Sequence, residues 1–154
     1  MKEKFKHLYM DWASRTADLS HARRLQVGAV IVKDDSVISY GYNGMPAGWD
    51  NNCEDETVEL YSGFEGATHR TILKTKSEVL HAESNAIAKL ARSSNSGLGA
   101  TMFVTHAPCM ECAKLIYQSG IEHVLYRYSY RDSSGVIFLE KSGVKVEKLQ
   151  IEDL

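Results

Sequence analysis

Three residues of the types that bind zinc stand in two short motifs of this chain. His81-Ala82-Glu83 comes first, and Pro108-Cys109-Met110-Glu111-Cys112 follows after a gap of ordinary sequence. Cys109 and Cys112 are three apart at the start of an expected helix, so their side chains share one face. The positive end of the helix dipole favours thiolate over thiol, and thiolate is the form that binds metal. His81, opening a second expected helix, adds one imidazole. Three ligands of these kinds leave the fourth tetrahedral position open to water, as in a catalytic zinc site; a structural site is closed by four. Zinc there lowers the pKa of water toward neutrality. Glu83, two residues from the histidine, is poorly placed to ligate the same ion. It is well placed to carry protons to and from a water activated at that position.

Plainer readings stand beside this one. An isolated Cys-x-x-Cys can be a redox pair, but the upstream His-x-Glu argues for metal. A closed structural zinc site needs a fourth ligand, for which Cys53 and His106 are the candidates. Glu83 could be an ordinary solvated helix residue. The full count of three cysteines, Cys53, Cys109 and Cys112, makes a poor disulfide framework.

The elements that must position these residues can be read from periodicity. Phe5, Leu8, Tyr9, Trp12 and Ala13 recur at helical spacing and predict a helix over 4–18. Val27 to Val32 reads as a buried strand, Lys33 to Ser36 as a turn and Val37 to Tyr42 as the second arm of a hairpin. Residues 49–80 are polar and mixed, and are expected to form a lid, a binding loop or an interface segment. A helix over 82–92, a strand over 102–105, a helix over 108–119 with Pro108 in its first turn and Gly120 past its end, and a strand over 123–128 follow. A last helix is expected over 134–142 and a last strand over 144–149. A hairpin followed by alternating helices and strands predicts an α/β fold, a mixed sheet with helices on both faces.

Length fits one domain, expected over 1–154. The formal net charge of -2 argues against a general nucleic-acid binder, yet leaves room for a small anionic substrate held by local arginines. No run approaches the roughly 20 apolar residues that span a bilayer. The segment Met1 to Phe5 lacks the apolar core of a signal peptide. The expectation is a cytoplasmic protein with no membrane and no nucleic-acid partner.

His-x-Glu followed by Pro-Cys-x-x-Cys is the signature of zinc deaminases. With Val27-Gly28-Ala29-Val30-Ile31-Val32, Gly41-Tyr42-Asn43-Gly44-x-Pro46-x-Gly48 and Tyr130-Arg131 beside it, the chain resembles the cytidine deaminase superfamily, and within it the deoxycytidylate (dCMP) deaminases. The resemblance covers roughly residues 5–53 and 78–150. It implies a three-layer α/β/α fold with a mixed five-stranded sheet. It implies hydrolysis of dCMP to dUMP and ammonia, supplying dUMP for thymidylate synthesis. His81, Cys109 and Cys112 would hold one catalytic zinc, and Glu83 would shuttle protons. The backbone at Ala82 would meet the cytosine ring, Asn43 the sugar hydroxyl, and Tyr130 the nucleotide pocket. Arg24 and Arg131 would grip the 5′-phosphate, which suits the planar guanidinium fork.

The same resemblance implies a homo-oligomer, typically a hexamer, activated by dCTP and inhibited by dTTP with Mg2+. Two departures stand out. His106 precedes the Pro-Cys motif where relatives often carry a smaller residue. Ala22 and Asn52 stand where some relatives have cysteines of a second, structural zinc site, so one zinc per chain is expected. Deamination of an RNA base, deamination of a free nucleoside, and a non-catalytic zinc-stabilised module are the alternatives. The negative charge weighs against the first, the arginines against the second and Glu83 against the third.

Overall fold

The apolar run of β1 (Gly28–Lys33) is buried on both faces, because it lies inside a sheet covered on both sides. In the computed structural model, which describes residues 1–151, Val30 and Val32 face one helical layer while Ala29 and Ile31 face the other. The first layer is α1 (Glu3–Ala17), whose Tyr9, Met10 and Ala13 pack with Phe103 and Leu125. The second is built from α2 (Ala82–Ala91), α3 (Met110–Gln118) and α4 (Ser134–Lys141). The expectation of one domain over 1–154 extends to residues 152–154, which lie outside the described residues.

The sheet also contains β2 (Ser36–Tyr42), β5 (Thr101–His106), β6 (His123–Tyr128) and β7 (Lys145–Lys148), in the order β2-β1-β5-β6-β7. β1 runs antiparallel to β2 and to β5, whereas β5, β6 and β7 are parallel. This is the expected mixed five-stranded sheet in a three-layer α/β/α arrangement. The β1–β2 turn places both Asp34 and Asp35 at positive φ, the geometry that matches the twist of a tight hairpin.

Two expectations need correction. The helix expected over 108–119 begins at Met110, with Cys109 as its N-cap; Pro108 precedes the cap and does not lie in the first turn. Residues 49–80 are no irregular loop: they contain a second sheet, the hairpin of β3 (Glu54–Gly63) and β4 (Gly66–Thr75). Its strands pair in continuous register from Glu54↔Thr75 to Gly63↔Gly66. Nearly every side chain on it is exposed, so neither face carries the polar–apolar alternation that marks a half-buried strand.

Candidate functional site

Helix starts bring the metal-binding side chains together. His81 is the N-cap of α2 and Cys109 the N-cap of α3, each with extended backbone and no side-chain capping bond. Cys112 is the third residue of α3, where a side chain comes back toward the cap position. Both helix N-termini therefore direct their positive ends toward one point. The bridge between Gly44 and Leu80, with N–H···O distances of 3.0 and 2.8 Å, ties the segment leading into α2 to the end of β2.

Two glycines let the supporting elements come close. A Cβ on Gly41 would lie 2.3 Å from the Ala82 carbonyl oxygen, so β2 and α2 can meet only without a side chain there. A Cβ on Gly135 would lie 2.2 Å from the Pro108 carbonyl oxygen, where α4 presses on the Pro-Cys motif.

The ligand atoms of His81, Cys109 and Cys112 all lie within 4.8 Å of one another. His81 Nδ1 is 3.3 Å from Cys112 Sγ and 3.6 Å from Cys109 Sγ. A tetrahedral zinc with ordinary bond lengths separates its nitrogen and sulfur ligands by about 3.5 Å. The residues present fit the metal. In the bare chain, hydrogen bonds with Cys112 and His81 hold the Cys109 thiol down at about 4, so it is a ready thiolate. The bond with Cys109 and burial push Cys112 up, and the bond with Cys109 raises His81. Cys53 and His106, the candidate fourth ligands, are not part of this group, which among the described residues has three members. Cys53 packs with Ala22, Val79 and Met45 in an apolar cluster. His106 Nδ1 lies 2.9 Å from the Thr105 hydroxyl, within hydrogen-bond distance, and its ring tilts against Tyr128.

Glu83 is buried at the start of α2, and burial raises its carboxyl above the usual range. It is no solvated surface residue. Both Glu83 and the metal ligands His81 and Cys109 line a cavity of about 630 Å³ that also reaches Ala82, Asn43, Arg24, Tyr130 and Arg131. That volume suits a nucleotide-sized ligand.

The two arginines differ from their neighbour Arg23. Arg23 is held by carboxylates, with Nε 3.4 Å from Glu54 Oε2 and a short contact to Glu56. Arg24 and Arg131 have no carboxylate partner among the described residues. Arg24 Nη1 donates to the Thr75 hydroxyl at 3.3 Å, and Asp132 accepts from the Ser134 N–H, not from Arg131. Asn43 is already engaged: its Oδ1 accepts from Val27 N–H and its Nδ2 donates to the Leu25 carbonyl, both at 2.8 Å. One acceptor site and one N–H of that amide remain.

Sequence reasoning missed part of the wall. Glu54, Thr75 and Val79, all from the illegible 49–80 segment, line the cavity, as do His106 and Tyr128. The signal available was a Gly63-x-x-Gly66 turn between stretches holding Val58, Leu60 and Tyr61 on one side and Thr71 and Ile72 on the other.

Comparison with known proteins gives a consistent family. The cytidine and deoxycytidylate deaminase zinc-binding region matches residues 3–128. ComE operon protein 2 of Bacillus subtilis is 37% identical over 132 residues, spanning 85% of this chain and 64% of its own length. The deoxycytidylate deaminase of Mycobacterium phage D29 is 38% identical over 118 residues, spanning 77% of this chain and 90% of its own. The crystal structure of dCMP deaminase from the cyanophage S-TIM5 with dCMP and dUMP superposes with a TM-score of 0.83 at 39% identity, covering 97% of this chain and 99% of that one.

Proposed function

The chain belongs to the cytidine and deoxycytidylate deaminase family, and from that premise we propose that it is a zinc-dependent hydrolase converting dCMP and water to dUMP and ammonia. The observation that carries the substrate assignment is one cavity uniting His81, Cys109 and Glu83 with Arg24 and Arg131, two guanidiniums without carboxylate partners among the described residues. The solved cyanophage relative, similar over nearly the whole chain, is described with dCMP and dUMP bound.

His81 Nδ1, Cys109 Sγ and Cys112 Sγ would hold the zinc. When bound, zinc supplies a Lewis acid that makes water nucleophilic at neutral pH. Glu83 takes one proton from the attacking water and delivers it to the ring nitrogen, then takes the second from the added hydroxyl and gives it to the amine as ammonia leaves. Its burial keeps that proton from exchanging freely with bulk solvent. The Ala82 N–H, among the first donors of α2 and without a helical partner, is free to orient the base. Arg24 and Arg131 bind the 5′-phosphate, Tyr130 flanks the nucleotide, and the remaining valences of Asn43 meet the sugar hydroxyl.

The deaminase unit is read as a single domain over 1–154, working as a homo-oligomer, with a hexamer as the family form. Its support is the β3–β4 hairpin, where Val58 is 65% and Leu60 68% exposed and Tyr61 and Phe64 stand beside them. A two-stranded hairpin that packs chiefly on itself is marginal in water, and contact with other copies would cover these side chains. Activation by dCTP and inhibition by dTTP, with Mg2+, follow from the family reading, as do a cytoplasmic setting and delivery of dUMP for thymidylate synthesis. Among the described residues no helix is long and apolar enough to cross a membrane.

The test is ultraviolet assay of dCMP, CMP, deoxycytidine and cytidine on zinc-loaded protein, with and without dCTP and Mg2+. The proposal expects dCMP to turn over far faster than deoxycytidine, and a sigmoidal dCMP curve to become hyperbolic with dCTP. Preference for the nucleosides would overturn the substrate assignment. A hyperbolic curve indifferent to dCTP and dTTP would overturn the regulation.

A further inference from the structure

Arg24 is anchored at both ends to a single cross-strand pair. Its backbone N–H donates to Glu54 Oε1 at 3.2 Å, and the Arg23 N–H donates to the same oxygen at 2.7 Å. Its guanidinium Nη1 donates to Thr75 Oγ1 at 3.3 Å. Glu54 and Thr75 face each other as the first pair of the β3–β4 hairpin. Glu54 is only 1% exposed, an unusual place for a carboxylate, and all three residues line the cavity. Glu54 Oε2 lies 3.4 Å from Arg23 Nε but forms no hydrogen bond. A buried carboxylate is costly unless it is hydrogen-bonded or paired; here Oε1 is met by two successive backbone N–H groups of the 23–24 segment, and Oε2 has only the nearby Arg23 charge. Next to these residues in the chain, Ala22 and Cys53 pack with Val79 and Met45 in an apolar cluster that joins the residue before Arg23 to the residue before Glu54.

We infer that Glu54 and Thr75 are positioning residues for phosphate recognition: the base of the hairpin holds the Arg24 backbone and guanidinium in place for the nucleotide's 5′-phosphate. The inference rests on the reading of Arg24 as a phosphate ligand and extends it to a segment with no chemistry of its own. A flexible arginine must be ordered each time an anion binds; one tethered at both ends has already undergone most of that ordering. The hairpin would then set discrimination between nucleotide and nucleoside, and anything that shifts the hairpin base would be felt as a change in KM for dCMP.

The experiment is steady-state kinetics of the zinc-loaded protein on dCMP and deoxycytidine for wild type, Arg24→Ala, Glu54→Ala, Glu54→Gln, Thr75→Val and the Glu54→Ala/Arg24→Ala double variant, with zinc content and thermal unfolding recorded for each. Arg24→Ala should raise KM for dCMP by roughly 10- to 100-fold, the worth of a hydrogen bond to a charged group. Glu54→Ala, which removes both backbone hydrogen bonds of the 23–24 segment, should raise it about tenfold, and Thr75→Val, which removes one exposed bond to the guanidinium, about threefold, with kcat changed less. Glu54→Gln keeps an oxygen that accepts both N–H groups and should restore most of the affinity. In the double variant Glu54→Ala should add little to Arg24→Ala, because it acts through that residue.

If Arg24→Ala leaves KM for dCMP unchanged, the phosphate reading fails and this inference falls with it. If Arg24→Ala raises KM while Glu54→Ala and Thr75→Val do not, or if the Glu54 and Arg24 effects simply multiply, the phosphate reading survives and the positioning role is overturned. Should Glu54→Ala unfold, Thr75→Val and Glu54→Gln, on an exposed and an isosteric position, still decide it.

Discussion

Gly135 lies directly against Pro108, so close that a methyl group at position 135 would sit 2.2 Å from the Pro108 carbonyl oxygen. Helix α4 thereby presses on the backbone of Pro108 and Cys109. Gly135→Ala should displace the Pro-Cys motif and lower stability by about 1–3 kcal/mol, the usual cost of overpacking. Zinc content should fall with it. Metal analysis and thermal unfolding of the variant check this; full zinc with unchanged stability would show that the contact can relax.

Replacing Glu83 separates metal binding from proton transfer. Glu83→Gln keeps the shape of the side chain and leaves the three ligands untouched. Activity on dCMP should drop roughly 10²- to 10⁴-fold while zinc stays bound. Unchanged activity in a zinc-loaded variant would remove Glu83 from the mechanism.

Zinc should be present at one equivalent per chain, and a strong chelator should abolish activity until zinc is returned. Cys112→Ala should lose the metal. Ala22 lies in an apolar cluster with Cys53 and Val79, which offers one thiol. Two zinc ions per chain by atomic absorption would contradict this account.

The grouping of His81, Cys109 and Cys112 was legible because its parts are local. Cys109 and Cys112 meet through the geometry of one helix start, and His81 with Glu83 through another, so spacing carries each half of the pattern and the known signature joins the halves. The order of the five-stranded sheet's elements was legible for the same reason: β1, β5 and α2 are periodic and bounded by turn residues. The β3–β4 hairpin was not, since its side chains are exposed on both faces and no hydrophobic alternation marks them. The distinction between Arg23 and Arg24 was equally out of reach. It depends on Glu54 and Glu56, some 30 residues away in the chain, pairing with the Arg23 guanidinium and leaving that of Arg24 without a carboxylate partner among the described residues.

His123 offers a pH test away from the metal. It lies with Nε2 3.3 Å from Glu147 Oε2, while Lys6 holds the same carboxylate at 3.0 Å. Burial, and then the charge of Lys145, hold His123 below its ordinary 6.5 despite Glu147. The folded state thus binds fewer protons than the unfolded one, and stability rises with pH. The contribution is complete above about pH 6.5 and is lost as pH falls through the folded value. Glu147 works in the same direction at lower pH: burial pushes it up, but Lys6 prevails and its pKa ends below the usual value. Urea unfolding at pH 7.5, 6.5 and 5.5 should show wild type weakening on acidification and His123→Gln weakening less. Parallel slopes in the two proteins would exclude His123 as the source.

The central claim is that a zinc deaminase here reads the phosphate of its nucleotide through Arg24 and Arg131. The most direct measurement is the ratio of kcat/KM for dCMP to that for deoxycytidine, in wild type and in an Arg24→Ala/Arg131→Ala variant with equal zinc content. The account predicts a large ratio in wild type that collapses toward one in the variant through loss of activity on dCMP. A wild-type ratio near one, or a ratio unmoved by the double substitution, would contradict it.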